Sequence, residues 1–517
     1  MSIRTLTDIK LPIEKGEDAL YSLAEKKLGK KPAYFCIKKK SLDARDKENI
    51  RYVYTIEFSA QKQEIKEETI ERLPKSKTPK DKVLVVGCGP AGLFCALRLL
   101  ERGILPTLIE RGAPVEEREK DINGFITTKK LNVESNVQFG EGGAGTFSDG
   151  KLNTQTHDKS NKKVLETFVR FGAPKEILWQ SKPHIGSDNL KKVVKNMREY
   201  ILSQGGEIRF YTRLEDIVIT NGKLCKAEIY DYKNGQREVL DVSALILAIG
   251  HSARDTFEKL LTRGVKMQAK DFAVGVRIEH LQKDIGFSQY GKAYEKLPPA
   301  EYKLVAHDTE RSAFTFCMCP GGVVMPATSE EYAVVTNGMS DYARDKQNAN
   351  SALIAQVRKS DFGDDVLSGV EFQRRIERLA FTAGGGDYRA PVQLVGDFLK
   401  DKESARFGEV LPSYAVGTNF ADMRSVLPDF VCQTLKTALL FMDKKLRGFA
   451  KSDAVITGAE TRTSSPIRIE RNSETLQSVN AENLYPCGEG AGYAGGITSS
   501  AVDGLRVADA VFARFYQ

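Results

Sequence analysis

No Cys-x-x-Cys pair occurs in this 517-residue chain, and its eight cysteines are scattered. That spacing offers neither a zinc site nor a thioredoxin-like redox motif. No metal site is expected, and the thiols are expected to be reduced and mostly buried. No apolar run approaches the roughly 18 residues that span a bilayer. The opening stretch "MSIRTLTDIKLPIEKGED" has no apolar core of the kind a secretory signal needs. A cytoplasmic protein without a membrane partner is therefore expected. Internal repeats and low-complexity tracts are absent as well. The length then implies two to four ordinary domains of roughly 100–200 residues each.

Charge is unevenly placed. Residues 1–80 carry 19 Lys and Arg against 13 Asp and Glu, whereas the rest of the chain carries 58 against 56. The densest basic part is "GKKPAYFCIKKK" (Gly29–Lys40). Such a patch can attract phosphates, which would make nucleic acid a partner, but a solvated surface is the plainer reading of the charge. In the same segment "EDALYSLAEKKLG" has helical spacing, and "AYFCIKKKSL" and "RYVYTIEFS" read as strands. The polar, proline-bearing "ERLPKSKTPKDK" (Glu71–Lys82) reads as a linker. A small α+β domain over residues 1–78 is expected.

From Lys82 the pattern becomes strand, glycine turn, helix, strand. In "LVVGCGPAGLFCALRLLERGILPTLIE" the loop Gly87, Gly89, Pro90, Ala91, Gly92 follows a strand and opens a helix. The first glycine suits a tight bend, the second lets backbone approach a pyrophosphate, and the third lets the helix pack on the strand. Glu110 ends the next strand 18 residues beyond Gly92, where an acid can accept from ribose hydroxyls. "DNLKKVVKNMREYILSQGG" reads as a helix capped by Asp188 and closed by Gly205. Three strands are expected after it: "EIRFYTRLEDIVI", "KLCKAEIYDY" and "SALILAIG". "VLPDFVCQTLKTALLFMDKKLRG" carries apolar residues every three or four positions and is the clearest helix of the less regular region before residue 450.

The loop alone would serve NAD or FAD. The far end of the chain favours FAD: "LYPCGEGAGYAGGITSSAVDG" is a strand, then Gly488-Glu489-Gly490, then a glycine turn into a helix. In glutathione-reductase-type folds such an acid meets the ribityl–pyrophosphate part of the flavin nucleotide. The strand ending at Gly250 matches the one that closes that domain. No second G-x-G-x-x-G marks a nicotinamide domain, so NADH or NADPH would act as an external electron donor.

The chain resembles a group of uncharacterised FAD-dependent dehydrogenases, the NAD(FAD)-utilizing dehydrogenase class. The resembling stretches include "GGAGTFSDGKLNT", "AIGHSARDTFE", "AVGVRIEH", "FTFCMCPGGVVMPATSE", "VVTNGMSDYARD", "TSSPIRI" and "YPCGEGAGYAGGITSSAVDG". They extend from about Lys82 to Gln517. The Glu110-Arg111 pair is similar to the fumarate-reductase-like branch. The resemblance implies an α/β fold: an FAD/NAD(P)-binding Rossmann-like domain, an inserted α+β cap domain and the small N-terminal α+β domain. The expected boundaries are 79–256 and 451–517 for the FAD domain and 257–450 for the cap. The resemblance implies no substrate.

Two loops are candidates to face the flavin. In the first, Gly145 allows close approach, Thr146 and Ser148 could donate to phosphate or flavin oxygens, and Lys151 could stabilise the reduced flavin or simply pair with Asp149. In the second, Gly495, Gly496 and Ile497 are expected at the pyrimidine edge. Cys317 and Cys319, two apart in a strand, would share a face and could form a dithiol relay or merely line the pocket. His184 and His251 could approach the cofactor, although a lone histidine more often has a structural role. Arg462 and Arg277 could grip an anionic substrate, with salt bridges as the alternative. The expected function is transfer of hydride or electrons through flavin N5 to or from a small organic molecule, such as an unsaturated or polycyclic acid. An RNA-modifying flavoprotein docking through the basic N-terminal domain, and a non-catalytic FAD-binding scaffold or sensor, are the alternatives. Oligomeric state leaves no trace in the sequence.

Overall fold

A computed structural model describes residues 3–62, 82–154, 158–307 and 310–516. The expected linker over 71–82, apart from Lys82, and His157 lie outside the described residues. The first segment forms a three-stranded antiparallel sheet with Arg51–Ser59 between Arg4–Pro12 and Tyr34–Asp43. Its helix, Asp18–Leu28, lays Leu20 and Ala24 on Tyr54, Ile56 and Phe58. Gly29 ends it at φ +72° and returns its N–H to Glu25, the left-handed stop that glycine adopts without penalty. The strand Arg4–Pro12 carries no sequence signal because it is an edge strand with few buried positions. The domain docks through the edge of Tyr34–Asp43: Lys40 N–H donates to Trp179 O (2.8 Å), and Ser181 N–H donates to Lys40 O (2.9 Å).

The second unit is built on a five-stranded parallel sheet in the order Leu484–Pro486, Ala244–Leu247, Val83–Val86, Pro106–Ile109, Glu207–Arg209. Its three central strands are almost wholly apolar because both faces are covered, whereas the edge strand Glu207–Arg209 is largely polar and part-exposed. Val83, Val85, Ala244 and Ile246 face helices Pro90–Glu101, Ser187–Ser203 and Ile497–Tyr516. Their alternates Leu84, Val86, Leu245 and Leu247 face an antiparallel layer, Thr212–Thr220, Lys223–Asp231 and Gln236–Asp241. The stretch expected as one strand from Glu207 is in fact two. Tyr211 turns the chain at φ +57°, so one half joins the parallel sheet and the other the antiparallel layer. Asp188 does not cap its helix either. The cap position is Gly186, and the Asp188 carboxylate instead accepts Tyr342 N–H at 2.8 Å from the cap unit.

The third unit holds a seven-stranded sheet in the order Val305–Ala306, Ala313–Cys319, Asn348–Val357, Phe272–Leu281, Val455–Glu460, Ala390–Leu394, Thr418–Phe420. Helix Asp429–Lys445 packs on it through Val431, Leu435, Leu439 and Met442. Strand Val455–Glu460 pairs with Phe272–Leu281, so it belongs to this sheet and not to the C-terminal part of the nucleotide unit, where the sequence placed it. All six of its residues are buried, and nothing in that composition tells which sheet it joins. The chain passes between the two units in a two-stranded ribbon, Met267–Ala269 against Ile467–Ile469. No helix among the described residues is long and apolar enough to cross a membrane.

Candidate functional site

The glycine loop leaves strand Val83–Val86 with Gly87 at φ +103°, where a Cβ would lie 2.4 Å from Ala248 O. A Cβ on Gly92 would lie 1.9 Å from Gly87 O, so this glycine sets how closely helix and loop pack. Gly89 differs: the nearest atom to its Cβ direction is Gly143 Cα at 3.8 Å, and it lines an open cleft. Pro90 begins the helix, whose free N–H groups are suited to an anion. Ala91 also touches the C-terminal elements. A Cβ on Gly488 would meet Ala91 Cβ at 2.8 Å, and one on Gly504 would meet Ala91 O at 2.2 Å.

Glu110 stands at the end of the adjacent strand and lines the cleft, yet its carboxylate is committed to backbone. It accepts N–H groups of Cys88 (2.8 Å), Gly112 (2.9 Å) and Gly140 (3.0 Å). Its remaining lone pairs are what a ribose hydroxyl could use. Arg111 bridges Glu134 and Asp255 and lies 4.2 Å over the Phe139 ring. Gly145 and Ser148 line the cleft. The Ser148 hydroxyl closes its own turn, donating to Gly145 O (2.6 Å) and accepting from Gly150 N–H (3.1 Å). Thr146 faces the other way. It contributes to a small apolar void behind the loop, and its Oγ1 is buried with no partner among the described residues, so it does not serve the cleft.

The opposite wall is built from Gly250, His251, Glu489, Gly495, Gly496 and Ile497. Gly250 (φ +71°) and Gly496 (φ +127°) hold left-handed or extended-positive backbone, and a Cβ on Gly495 would meet nothing within 4 Å. Gly488 sits behind this wall, donating its N–H to Asp503 at 2.7 Å. Glu489 accepts Gly496 N–H (3.2 Å) and lies 3.7 Å from His251 Nε2. Burial pushes Glu489 up to about 7. Burial, reinforced by Arg462 and Arg254, pulls His251 down to about 3. His184 stacks on Tyr342 and meets its carbonyl, away from the cleft.

The cap supplies the third wall. Lys151 donates to Met318 O (2.5 Å) and pairs with Glu301 (3.2 Å). Its expected alternative partner, Asp149, is instead bound by Arg344 and Ser340. Against burial, which works upward, Lys151, Lys182 and Arg344 hold Glu301 at about 2. Cys317 lines the cleft, whereas Cys319 is fully buried, its thiol on Cys317 O at 3.3 Å. The ladder shifts register between Phe316 and Cys319 and Cys317 turns at φ +43°, yet the two thiols remain within hydrogen-bonding reach of each other. Arg462 and Arg277 touch the site from behind as buried ion pairs. Arg462 grips Glu377 (2.9 and 3.1 Å) and Ser329, and Arg277 grips Glu460 (3.0 Å). Arg462 also lines the cleft, but both guanidiniums are already engaged by these buried partners. Glu301, Lys182, Asn337 and Glu460 also line the cleft. The sequence singled out none of them, because no fixed spacing relates them to a motif. Among the described residues no group of three or more His, Cys, Asp or Glu could hold a metal ion.

These walls enclose about 450 Å³ at the carboxyl ends of the parallel strands, where Val86, Ile109 and Ala248 line it. That is the position at which open α/β sheets bind ligands. The open backbone at Gly89, Gly250, Gly495 and Gly496 forms a cradle that side chains would fill, and it fits an extended dinucleotide. Fold and site define a flavoprotein with a Rossmann-type FAD domain and an inserted cap. Residues 271–463 match a family described as FAD-dependent protein, C-terminal domain-like, and residues 3–59 match a domain of unknown function. An uncharacterised protein of Clostridium beijerinckii (strain ATCC 51743 / NCIMB 8052) is 47% identical over 496 residues, 92% of each chain. The chain belongs to this family of FAD-dependent proteins, and FAD is its cofactor. Two solved structures align over 84% of this chain at 12% identity with TM-scores of 0.36. They are a geranylgeranyl bacteriochlorophyll reductase-like protein of Thermoplasma acidophilum (78% of that chain) and the E. coli quinol fumarate reductase FrdA (70%). Likeness of that degree carries no argument about reaction or substrate.

Proposed function

We propose that this protein is an oxidoreductase that holds FAD along the cleft and transfers hydride or electrons between the flavin and a small organic substrate admitted beneath the cap. The observation that carries the reading is the joint lining of one cleft by Gly89, Glu110, Gly250 and Gly495 from the nucleotide unit and by Cys317, Met318 and Tyr302 from the cap. When bound, FAD supplies an electron-accepting ring whose N5 exchanges hydride. The chain's residues do the rest. The loop amides and the helix beginning at Pro90 hold the pyrophosphate, and Glu110 fixes that loop. Gly495, Gly496 and Ile497 would line the isoalloxazine end of the cleft, and the cap would exclude water from it. At the cap side Lys151, Lys182 and exposed Lys303 outnumber Glu301, a balance that favours an anionic substrate.

Purified protein tests this directly. The released cofactor is identified by mass, and the flavin is then mixed anaerobically with NADH or NADPH in a stopped-flow instrument. Yellow protein with releasable FAD, reduced by a nicotinamide or by an organic acid, is the expected result. Colourless protein that takes up no flavin overturns the reading.

A further inference from the structure

Strand Ala313–Cys319 ends in a distortion with a purpose. Its pairing with Asn348–Val357 slips between Phe316 and Cys319, and Cys317 takes φ +43°, a conformation that costs a non-glycine residue energy and persists only where its surroundings enforce it. Three side chains enforce it here. Arg277 Nη1 donates to Cys317 O at 2.8 Å, the Cys319 thiol donates to the same carbonyl at 3.3 Å, and Lys151 Nζ donates to Met318 O at 2.5 Å. The effect is to present Cys317 at the cleft wall while Cys319 stays behind it.

The surroundings are polar where a packing cysteine would need none. Arg277 is fully buried, and Asn350, which pairs with Cys319 across the ladder, accepts from Arg277 Nη1 on its Oδ1 (3.2 Å). Its Nδ2 is left buried with no partner among the described residues. Charges reach Cys317 from every side: Arg277 of Phe272–Leu281, Lys151 and Asp149 of the glycine-rich loop, Glu460 of Val455–Glu460 and Glu489 of the C-terminal turn. Burial pushes Cys88, Cys95, Cys432 and Cys487 up. Cys317 moves the opposite way, to about 6, through a hydrogen bond from the Cys319 thiol, with Arg277 and Lys151 adding to it against burial. Thiolates of that kind are nucleophiles.

We propose that Cys317 is a nucleophilic residue of the cleft that adds to the β-carbon of an α,β-unsaturated carbonyl compound. The inference rests on the reading of the cleft as a substrate site and names the substrate class. In the addition a bond forms between Cys317 sulfur and the β-carbon, and the carbon–carbon π bond breaks. Its electron pair passes to the α-carbon and carbonyl as an enolate, and the α-carbon takes a proton from the Lys151 ammonium, which solvent restores. Reversal releases the substrate, so no oxidant or reductant is consumed.

N-ethylmaleimide belongs to this chemical class and is the probe. Full-length, FAD-loaded protein is treated with a limiting amount between about pH 5 and about pH 9, the range over which free thiols ionise. Labelled peptides are quantified by mass spectrometry, and flavin content is read from the same samples. Cys36 and Cys225, the other part-exposed cysteines, are internal controls. The expected result is labelling of Cys317 first and ahead of both controls at neutral pH, with its half-maximal rate near pH 6. Cys319→Ala should move the Cys317 midpoint up by at least about one pH unit while flavin stays bound. Cys317 labelling no faster than the controls near neutral pH overturns the proposal, as does a midpoint that Cys319→Ala leaves in place. Absence of flavin in the sample would count against the cofactor reading instead, so the two failures are distinct.

Discussion

The carboxylate of Glu110 accepts the backbone N–H of Cys88 at 2.8 Å, so the acid that ends one strand holds the loop that follows its neighbour. Two further N–H groups, from Gly112 and Gly140, converge on the same carboxylate. Glu110→Gln keeps one acceptor oxygen and turns a donor toward these N–H groups. At least one buried donor is then unsatisfied, at a cost of about 1–3 kcal/mol. Thermal denaturation should show a stability loss of about 2 kcal/mol, and equilibrium dialysis should show FAD affinity reduced at least about tenfold, the equivalent of 1.4 kcal/mol.

Two glycines should separate folding from cofactor retention. A side chain at Gly495 meets nothing within 4 Å and projects into the cleft, whereas one at Gly92 strikes Gly87 O. Gly495→Val is expected to fold with wild-type thermal stability and to purify without flavin absorbance. Gly92→Ala is expected to lose about 3 kcal/mol through overpacking or to fail to accumulate as soluble protein. A yellow Gly495→Val protein with full flavin content would exclude the placement of this turn against the cofactor.

The pair His251 and Glu489 should conceal its own pH dependence. His251 is pulled from its ordinary 6.5 to about 3 and Glu489 is pushed from 4.5 to about 7. Between about pH 4.5 and 6.5 the unfolded chain carries a proton on the histidine and none on the acid, and the folded chain carries the reverse. The proton counts match, so this pair adds no slope of stability with pH. Glu489→Gln leaves the lowered histidine alone. The unfolded state then binds more protons, and stability should fall as pH drops from 6.5. His251→Gln leaves the raised acid alone. The folded state then binds more protons, and stability should fall as pH rises from 4.5 toward 7. Glu489 is partly exposed, so slopes of about 0.5–1 kcal/mol per pH unit, below the one-proton limit of about 1.4, are expected from denaturant titrations.

Arg462 should behave as a structural residue. Its guanidinium, with that of Arg254, neutralises Glu377, which is fully buried. Arg462→Met leaves that carboxylate with one partner fewer, and breaking a buried pair costs about 3–5 kcal/mol. Differential scanning calorimetry should show the loss. If the variant instead kept its stability and lost only affinity for substrate, the ion-pair assignment would be wrong.

The glycine loop is legible in the sequence because local chemistry dictates it. Gly87 and Gly92 answer to backbone atoms a few residues away or in the adjoining strand. Glu110 is legible as an acid at a strand end, but its three backbone partners are not, since they come from loops folded against it from both directions. Thr146 and Ser148 look alike in sequence. Only the packing of Thr146 on Gly142 and Val194 turns one away from the cleft. Arg462 and Arg277 read as anion-binding residues until Glu377, from helix Ser368–Ala383, and Glu460, from strand Val455–Glu460, arrive to occupy them. The bulge at Cys317, where Arg277, Cys319 and Lys151 bond the Cys317 and Met318 carbonyls, is likewise invisible in the C-M-C spacing.

Ala269 and Ile467 face each other in the ribbon through which the chain leaves for the cap and returns. Opposed residues in such a ladder lie about 5 Å apart. The cap is therefore a cassette whose two ends nearly touch. A short turn joining them would close the nucleotide unit without stretching it, and a different cassette could be spliced at the same seam.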